Sequence, residues 1–141
     1  MHLILLGITN KEINDVDELK RYVDDIETEG TGIDYIELEQ EVTLKECLDD
    51  NDIRNTLKED SIYSGKEIPK GSEEKIASAF CGYYDDGDID YEFNYKIPYK
   101  LPLNIKEAVY KAKQEEIKNH IKSMLLRIKP NDMIFLLNVH I

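Results

Sequence analysis

Residues 2–8 read HLILLGI, a continuous apolar run that is typical of a β-strand covered on both faces. A second run of this kind, MIFLLNVH, occupies residues 133–140 near the other end of the sequence. A strand that is apolar on both faces lies inside a sheet, with helices packed above and below it. The two segments are therefore predicted to form the middle of a mixed sheet.

The sequence between these runs alternates helical and extended patterns. Apolar residues recur at spacings of three and four over 15–29 and over 104–128, which predicts two amphipathic helices. Apolar and polar residues alternate over 33–42 and 88–97, which predicts two half-buried strands. The order of these patterns favours a sheet with helices on it.

Shorter signals complete the prediction. Thr43 and Glu46 have the spacing of a capping box and predict a short helix, which we expect to continue over 51–59. Glycine and proline residues predict a loop over 60–72. Residues 73–84 fit either a short helix or a strand, and the step Asp86-Gly87 after them predicts a hairpin turn.

These patterns together predict one domain over 1–141, of the α/β or α+β class. The element order is β-α-β-α-α-(β)-β-α-β, with a mixed sheet of about four to five strands and helices packed on it. The helix over 104–128 followed by the strand 133–140 resembles a right-handed crossover from the strand 88–97 to a parallel strand.

Charge is distributed unevenly along the sequence, whose formal net charge is −12. Residues 1–60 have a balance of −12, residues 61–95 of −5 and residues 96–141 of +5. This distribution predicts a strongly negative surface and a mildly basic C-terminal helix. Such a field acts on partners and on association rates rather than on the fold.

The predicted strand 33–42 places Glu37, Glu39 and Glu41 on its polar face, about 6.7 Å apart. That spacing is comparable to the step between neighbouring phosphates of a nucleic-acid strand. The sequence therefore predicts a non-catalytic inhibitor that mimics phosphates and binds a nuclease, a restriction enzyme or a CRISPR effector. It would serve as a phage anti-defence protein or as a toxin-immunity protein. The predicted contacts are Glu37, Glu39, Glu41, Asp49, Asp50, Asp52, Asp24 and Asp25.

Signatures of catalysis are few. The sequence contains no glycine-rich phosphate loop, no GxSxG elbow and no histidine pair at metal-binding spacing, so we expect neither an enzyme nor a cofactor. The acidic turn with Asp85, Asp86 and Asp88 is the one candidate cation site, although its spacing departs from the EF-hand pattern. His2 and His140 would meet if the two terminal strands were neighbours.

The expected partner is a basic-grooved protein, and we expect no direct binding to nucleic acid or membranes. No apolar run approaches the roughly 20 residues that a membrane helix needs. The absence of a signal sequence and of closely spaced cysteines favours the cytoplasm. The helix 104–128 offers a route to a homo-oligomer. The alternative function is a small-molecule or nucleotide-binding protein, or a minor enzyme, with a pocket between sheet and helix or between protomers.

Overall fold

A computed structural model of the chain describes residues 1–49, 61–93, 98 and 100–141. These residues form one six-stranded mixed sheet with four α-helices, which confirms the predicted fold class. The strands are β1 (His2–Thr9), β2 (Tyr35–Leu38), β3 (Ile62–Ser64), β4 (Gly82–Asp85), β5 (Asp88–Tyr91) and β6 (Met133–His140). The helices are α1 (Val16–Asp24), α2 (Leu44–Asp49), α3 (Glu73–Ala79) and α4 (Leu103–Arg127), with a 3₁₀ turn at Gly65–Glu67.

The two apolar terminal strands lie in the middle of the sheet, as predicted. The strand order is β2-β6-β1-β4-β5, and β3 pairs with β6 on the same side as β2. β1 and β6 are antiparallel along their whole length, from His2 opposite His140 to Thr9 opposite Met133. β4 is parallel to β1 and antiparallel to β5. β5 and β6 therefore run in the same direction, with β1 and β4 between them.

Each face of the sheet has its own apolar cluster, because successive side chains of a strand point to opposite faces. Leu6 and Ile8 of β1 pack with the cluster that includes α2, α3 and α4. Leu3 and Leu5 pack with the cluster that includes α1. Gly7 lies under the fully buried ring of Phe135, and a Cβ at Gly7 would come within 2.3 Å of that ring. The ring therefore fills the space that a side chain on this strand would take.

Several predicted elements are shorter in the structure. The predicted helix 15–29 ends at Asp24, where the bonding changes from the Asp25 N–H donating to the Arg21 carbonyl at 3.2 Å to the tighter bond from the Ile26 N–H to the Val23 carbonyl at 3.0 Å. The predicted strand 33–42 is limited to β2, since a strand continues only while it has a partner to pair with. The predicted strand 88–97 is formed as far as Tyr91, and positions 94–97 lie outside the described residues.

Other local predictions are confirmed or refined. Thr43 and Glu46 form the capping box of α2, with the Thr43 N–H donating to the Glu46 carboxylate at 2.7 Å. The segment 73–84 contains both of its possible elements, α3 and then β4. The predicted loop 60–72 contains β3 and the 3₁₀ turn. The predicted helix over 51–59 lies outside the described residues.

Among the described residues, no helix is both long and apolar enough to cross a membrane.

Candidate functional site

A group of exposed carboxylates lies on α1, on β2 and on the segments that follow them. α1 packs against β2, which lies at the edge of the sheet beside β6. Ile36 and Leu38 pack in the apolar cluster on the α1 face, so Glu37 points to the opposite face and the carboxylates extend around this edge of the sheet. We call this group the acidic surface, and it consists of Asp17, Asp24, Asp25, Glu27, Glu29, Asp34, Glu37 and Glu41.

The acidic surface differs from the rest of the molecule in how its charges are paired. Within the described residues none of its carboxylates pairs with a lysine or arginine, and Asp34 contacts His140 Nδ1 at 3.0 Å. Carboxylates elsewhere are matched by cations of α4, which pair with Glu74, Asp85, Asp90, Glu115 and Glu116. Lys20 and Arg21 are the cations of α1, and eight carboxylates outnumber them on this surface, so its net charge is negative and favours attraction of a cationic partner.

The predicted row of three strand carboxylates does not form, and this corrects the sequence interpretation. β2 ends at Leu38, so the alternation that would place Glu39 with its neighbours stops there. Glu39 is 5% exposed, and its carboxylate accepts the backbone N–H of Glu41. Glu37 and Glu41 remain exposed on either side of this turn. The carboxylates available to a partner come from a helix, a connection and a strand rather than from one strand face.

The other predicted contacts are distributed differently. Asp24 lies at the end of α1 and Asp25 is its C-cap, and both are exposed. Asp49 is the last residue of α2. Asp50 and Asp52 lie outside the described residues.

The candidate cation site at the hairpin turn is not formed by the three aspartates that predicted it. The Asp85 carboxylate lies 3.6 Å from Arg127, and Asp86 accepts the hydroxyl hydrogen of Thr9 at 3.0 Å. Asp88 faces the Tyr83 hydroxyl at 3.4 Å. The three side chains thus point to different partners, and the described part of the chain holds no group of three or more potential metal ligands.

His2 and His140 meet as neighbours on β1 and β6, and Tyr35 of β2 extends the same row. The Tyr35 and His140 rings are parallel within 3° with centroids 4.9 Å apart, and His2 meets His140 edge-on at 4.9 Å. His140 Nδ1 lies 3.0 Å from Asp34, and His2 Nδ1 lies 3.0 Å from the Asn138 side-chain oxygen. We call Tyr35, His140 and His2 the aromatic row.

A cleft of about 290 Å³ lies between α4 and the β4–β5 hairpin. Its walls include Tyr83, Asp90 and His120, and the Tyr83 and His120 rings stack with centroids 3.8 Å apart. Beside it, the buried ammonium of Lys113 lies 2.7 Å from the Asp90 carboxylate. His120 Nε2 is buried and has no hydrogen-bond partner within the described residues. The cleft thus combines an aromatic stack with a buried ion pair.

Burial raises the pKa of two groups in and near this helical layer. The pKa of Tyr83 rises to about 12, because burial disfavours the phenolate and the carboxylates of Asp88 and Asp90 add repulsion. The pKa of the Cys47 thiol also rises to about 12, through burial and the nearby charge of Glu46. Both groups are neutral at ordinary pH, and Cys47 has the character of a buried apolar side chain rather than of a nucleophile.

The sequence interpretation missed the cleft. Lys113, Glu116 and His120 are spaced three and four residues apart, which places them on one face of a helix. That periodicity was available in the sequence. The partner groups on β4 and β5 come from a hairpin more than twenty residues earlier, and only the packed fold brings them opposite this face.

Comparisons of the chain with protein-family models, with curated proteins and with solved structures gave no match.

Proposed function

We propose that this protein is a non-catalytic inhibitor that binds a nucleic-acid-processing enzyme through the acidic surface. The supporting observation is the set of exposed carboxylates on α1, β2 and their connections, none of which pairs with a lysine or arginine in the part of the chain that the structure describes. A nuclease, a restriction enzyme or a CRISPR effector offers a basic groove of the complementary sign. Occupation of that groove excludes its nucleic-acid substrate, and this is the role of an anti-defence or immunity protein.

The geometry suggests mimicry of a charged surface rather than of a regular phosphate strand. Glu39 is turned inward, so evenly spaced strand carboxylates do not supply the match. Asp24 is the last residue of α1, Glu27 and Glu29 follow it, and Glu37 lies on the neighbouring β2. A basic groove would gain fast electrostatic steering and counterion release from such a surface without requiring a fixed step between charges.

The proposal is tested by charge reversal on this surface. In the variant Glu27→Lys/Glu29→Lys/Glu37→Lys all three changes are at exposed positions. The control variant Glu74→Lys/Glu107→Lys/Glu115→Lys has the same net charge but places the changes on α3 and α4. Each purified variant is used to capture proteins from a bacterial lysate, with washes at low and then high salt.

The expected result is a captured nuclease or DNA-binding enzyme that elutes with salt, is retained by the control variant and is lost with the acidic-surface variant. The purified enzyme should then be inhibited by the native chain, and excess DNA should relieve the inhibition. Equal capture and equal inhibition by both variants would show that the acidic surface is not the contact.

The helix–hairpin cleft favours a second proposal, binding of a small molecule between sheet and helix. Its supporting observation is the buried His120 Nε2 without a described partner beside a half-open cavity lined by Tyr83 and Asp90. Buried polar atoms without partners are uncommon in folded proteins, and a ligand is one way to satisfy them. This site lies on α4 and the hairpin rather than on the acidic surface.

The second proposal predicts thermal stabilisation of the chain by a compound from a panel of nucleotides and small amines. The stabilisation should persist at high salt and should disappear in His120→Ala, while the acidic-surface variant should retain it. Loss of stabilisation at high salt would instead indicate non-specific attraction to surface charge.

A further inference from the structure

The aromatic row lies at the border of the acidic surface and has an open end. Tyr35, His140 and His2 are directly opposite one another on β2, β6 and β1, so their side chains share one sheet face. Tyr35 lies at the end of this row because β2 pairs with β6 alone among the described strands. One face of its ring stacks on His140, and the side chain is 45% exposed. The Tyr35 ring is therefore partly covered by His140 and partly open to a partner.

Hydrogen bonds hold the row in place. The Asn138 side-chain amide donates to Glu37 at 3.3 Å, which leaves its oxygen to accept from His2 Nδ1. His140 Nδ1 donates to the Asp34 carboxylate at 3.0 Å, while the Asp34 N–H donates to the His140 carbonyl at 2.8 Å. These bonds fix the ring under Tyr35. A side chain that is already ordered loses little conformational entropy when a partner covers it.

Two carboxylates of the acidic surface are close to Tyr35 in the chain: Asp34 directly precedes it, and Glu37 lies two residues later on the same face of β2. Asp34 uses one carboxylate oxygen for His140, and Glu37 uses one for Asn138. In the described residues the second oxygen of each has no partner. An aromatic face next to free carboxylate oxygens matches the guanidinium group, which is planar, stacks on rings and donates several hydrogen bonds at fixed angles. An ammonium group is a compact, strongly hydrated charge and gains less from the same surroundings.

We propose that Tyr35, with Asp34 and Glu37 beside it, is a docking position for an arginine side chain of a cationic protein partner. This inference rests on the proposed function, because it specifies which residue of a basic partner the acidic surface prefers. It also assigns a role to the His2–His140 contact, which fixes the ring on which Tyr35 stacks.

The experiment compares short oligo-arginine and oligo-lysine peptides of equal length, titrated into the whole chain at physiological ionic strength. The native chain should bind the arginine peptide more tightly, by up to about fivefold, which is the factor that a whole exposed cation–π contact supplies. Tyr35→Leu should reduce this ratio to about one, and Tyr35→Phe should keep it because the ring remains. Phe93 is an exposed aromatic residue that follows β5, away from Tyr35 in the sequence. Phe93→Leu is therefore the control and should leave the ratio unchanged.

Further variants separate this inference from the proposed function. Glu27→Lys/Glu29→Lys should weaken binding of both peptides alike and preserve the arginine preference. Equal affinity of the native chain for the two peptides, or a preference that survives in Tyr35→Leu, would overturn the arginine position while leaving the acidic surface as an attractor of cations. Unchanged binding of both peptides to Glu27→Lys/Glu29→Lys would count against the acidic surface itself. A native-like thermal transition of Tyr35→Phe would show that the position tolerates substitution.

Discussion

Glu39 shows where the alternating pattern over 33–42 no longer predicts which side chains are exposed. Alternation along 33–42 predicts that Glu37, Glu39 and Glu41 share a solvent face, but it holds only while the chain remains a strand. β2 ends at Leu38, and Glu39 then turns inward to accept a hydrogen bond from the backbone. Acidic residues can be counted in the sequence, but their exposure depends on where pairing with β6 ends.

Lys113 is a buried cation on α4. Its side chain is 8% exposed and its ammonium lies 2.7 Å from the Asp90 carboxylate, so Lys113→Met leaves that carboxylate without its close cation. We expect Lys113→Met to lower the free energy of unfolding by about 1–3 kcal/mol, because a half-removed buried pair leaves an uncompensated charge. Urea denaturation monitored by circular dichroism measures the change.

Lys118 on the same helix is the matched control. Its side chain is 37% exposed and lies 3.9 Å from Glu115, so Lys118→Met should change stability by less than about 0.5 kcal/mol. The double variant Lys113→Met/Asp90→Leu should recover part of the loss, since neither charge is then left alone. Equal losses at the two lysines would contradict the burial of the pair.

At the scale of elements, local chemistry predicted the turns and caps better than the strand lengths. The capping box of Thr43 and Glu46 and the hairpin turn at Asp86-Gly87 are both present, because each depends on residues a few positions apart. The limits of β2 depend on pairing with β6, about one hundred residues away in sequence. A period of two along the chain gives the face of a strand but not its last residue.

The turn of the β4–β5 hairpin has a backbone conformation that a substitution can test. Asp86 has φ of 44° and Gly87 has φ of 104°, so both lie in the left-handed region, as expected in a tight hairpin turn. Gly87→Ala should lower the free energy of unfolding by about 1–2 kcal/mol, because a Cβ disfavours that backbone conformation. Thermal denaturation of the variant measures the loss.

Asp86→Asn is the control for the hairpin, since asparagine tolerates the left-handed region and its oxygen still accepts the Thr9 hydroxyl hydrogen. It should change stability by less than about 0.5 kcal/mol. If Gly87→Ala were as stable as the native chain, the turn would not have the positive φ angle that the structure shows.

For the whole molecule, the sequence predicted that acidic and basic residues are segregated along the chain, but it did not predict which of them form ion pairs. The cations of α4 pair with carboxylates of α3 and the hairpin, whereas the described residues show no lysine or arginine paired with the acidic surface. The aromatic row could not be predicted as a surface, because it needs β6 to lie between β1 and β2 in one register. The sequence predicted that His2 and His140 meet if their strands are neighbours, but nothing in it aligned Tyr35 with them.

Two buried tyrosines make the free energy of unfolding depend on pH in the alkaline range. Tyr83 belongs to the cluster under α2–α4, and Tyr84 belongs to the cluster under α1. Burial raises the pKa of Tyr83 from 10.0 to about 12, and burial together with the Tyr22 hydroxyl raises the pKa of Tyr84 further. The folded chain therefore holds these protons more tightly than the unfolded chain, and stability present below pH 10 is lost as pH rises toward 12.

Tyrosines with raised pKa values lie on both faces of the sheet. Their ionisation therefore destabilises both apolar clusters in the same range of pH. We expect a single cooperative alkaline unfolding transition, with tyrosinate absorbance and circular dichroism changing together above pH 10. Tyr83→Phe should move that transition to higher pH, since one group that favours the unfolded state at alkaline pH is removed. Tyr35 belongs to neither apolar cluster, so Tyr35→Phe is the control and should leave the midpoint in place. Native circular dichroism retained while every tyrosine titrates near its ordinary pKa would show that these rings are not buried in the two clusters.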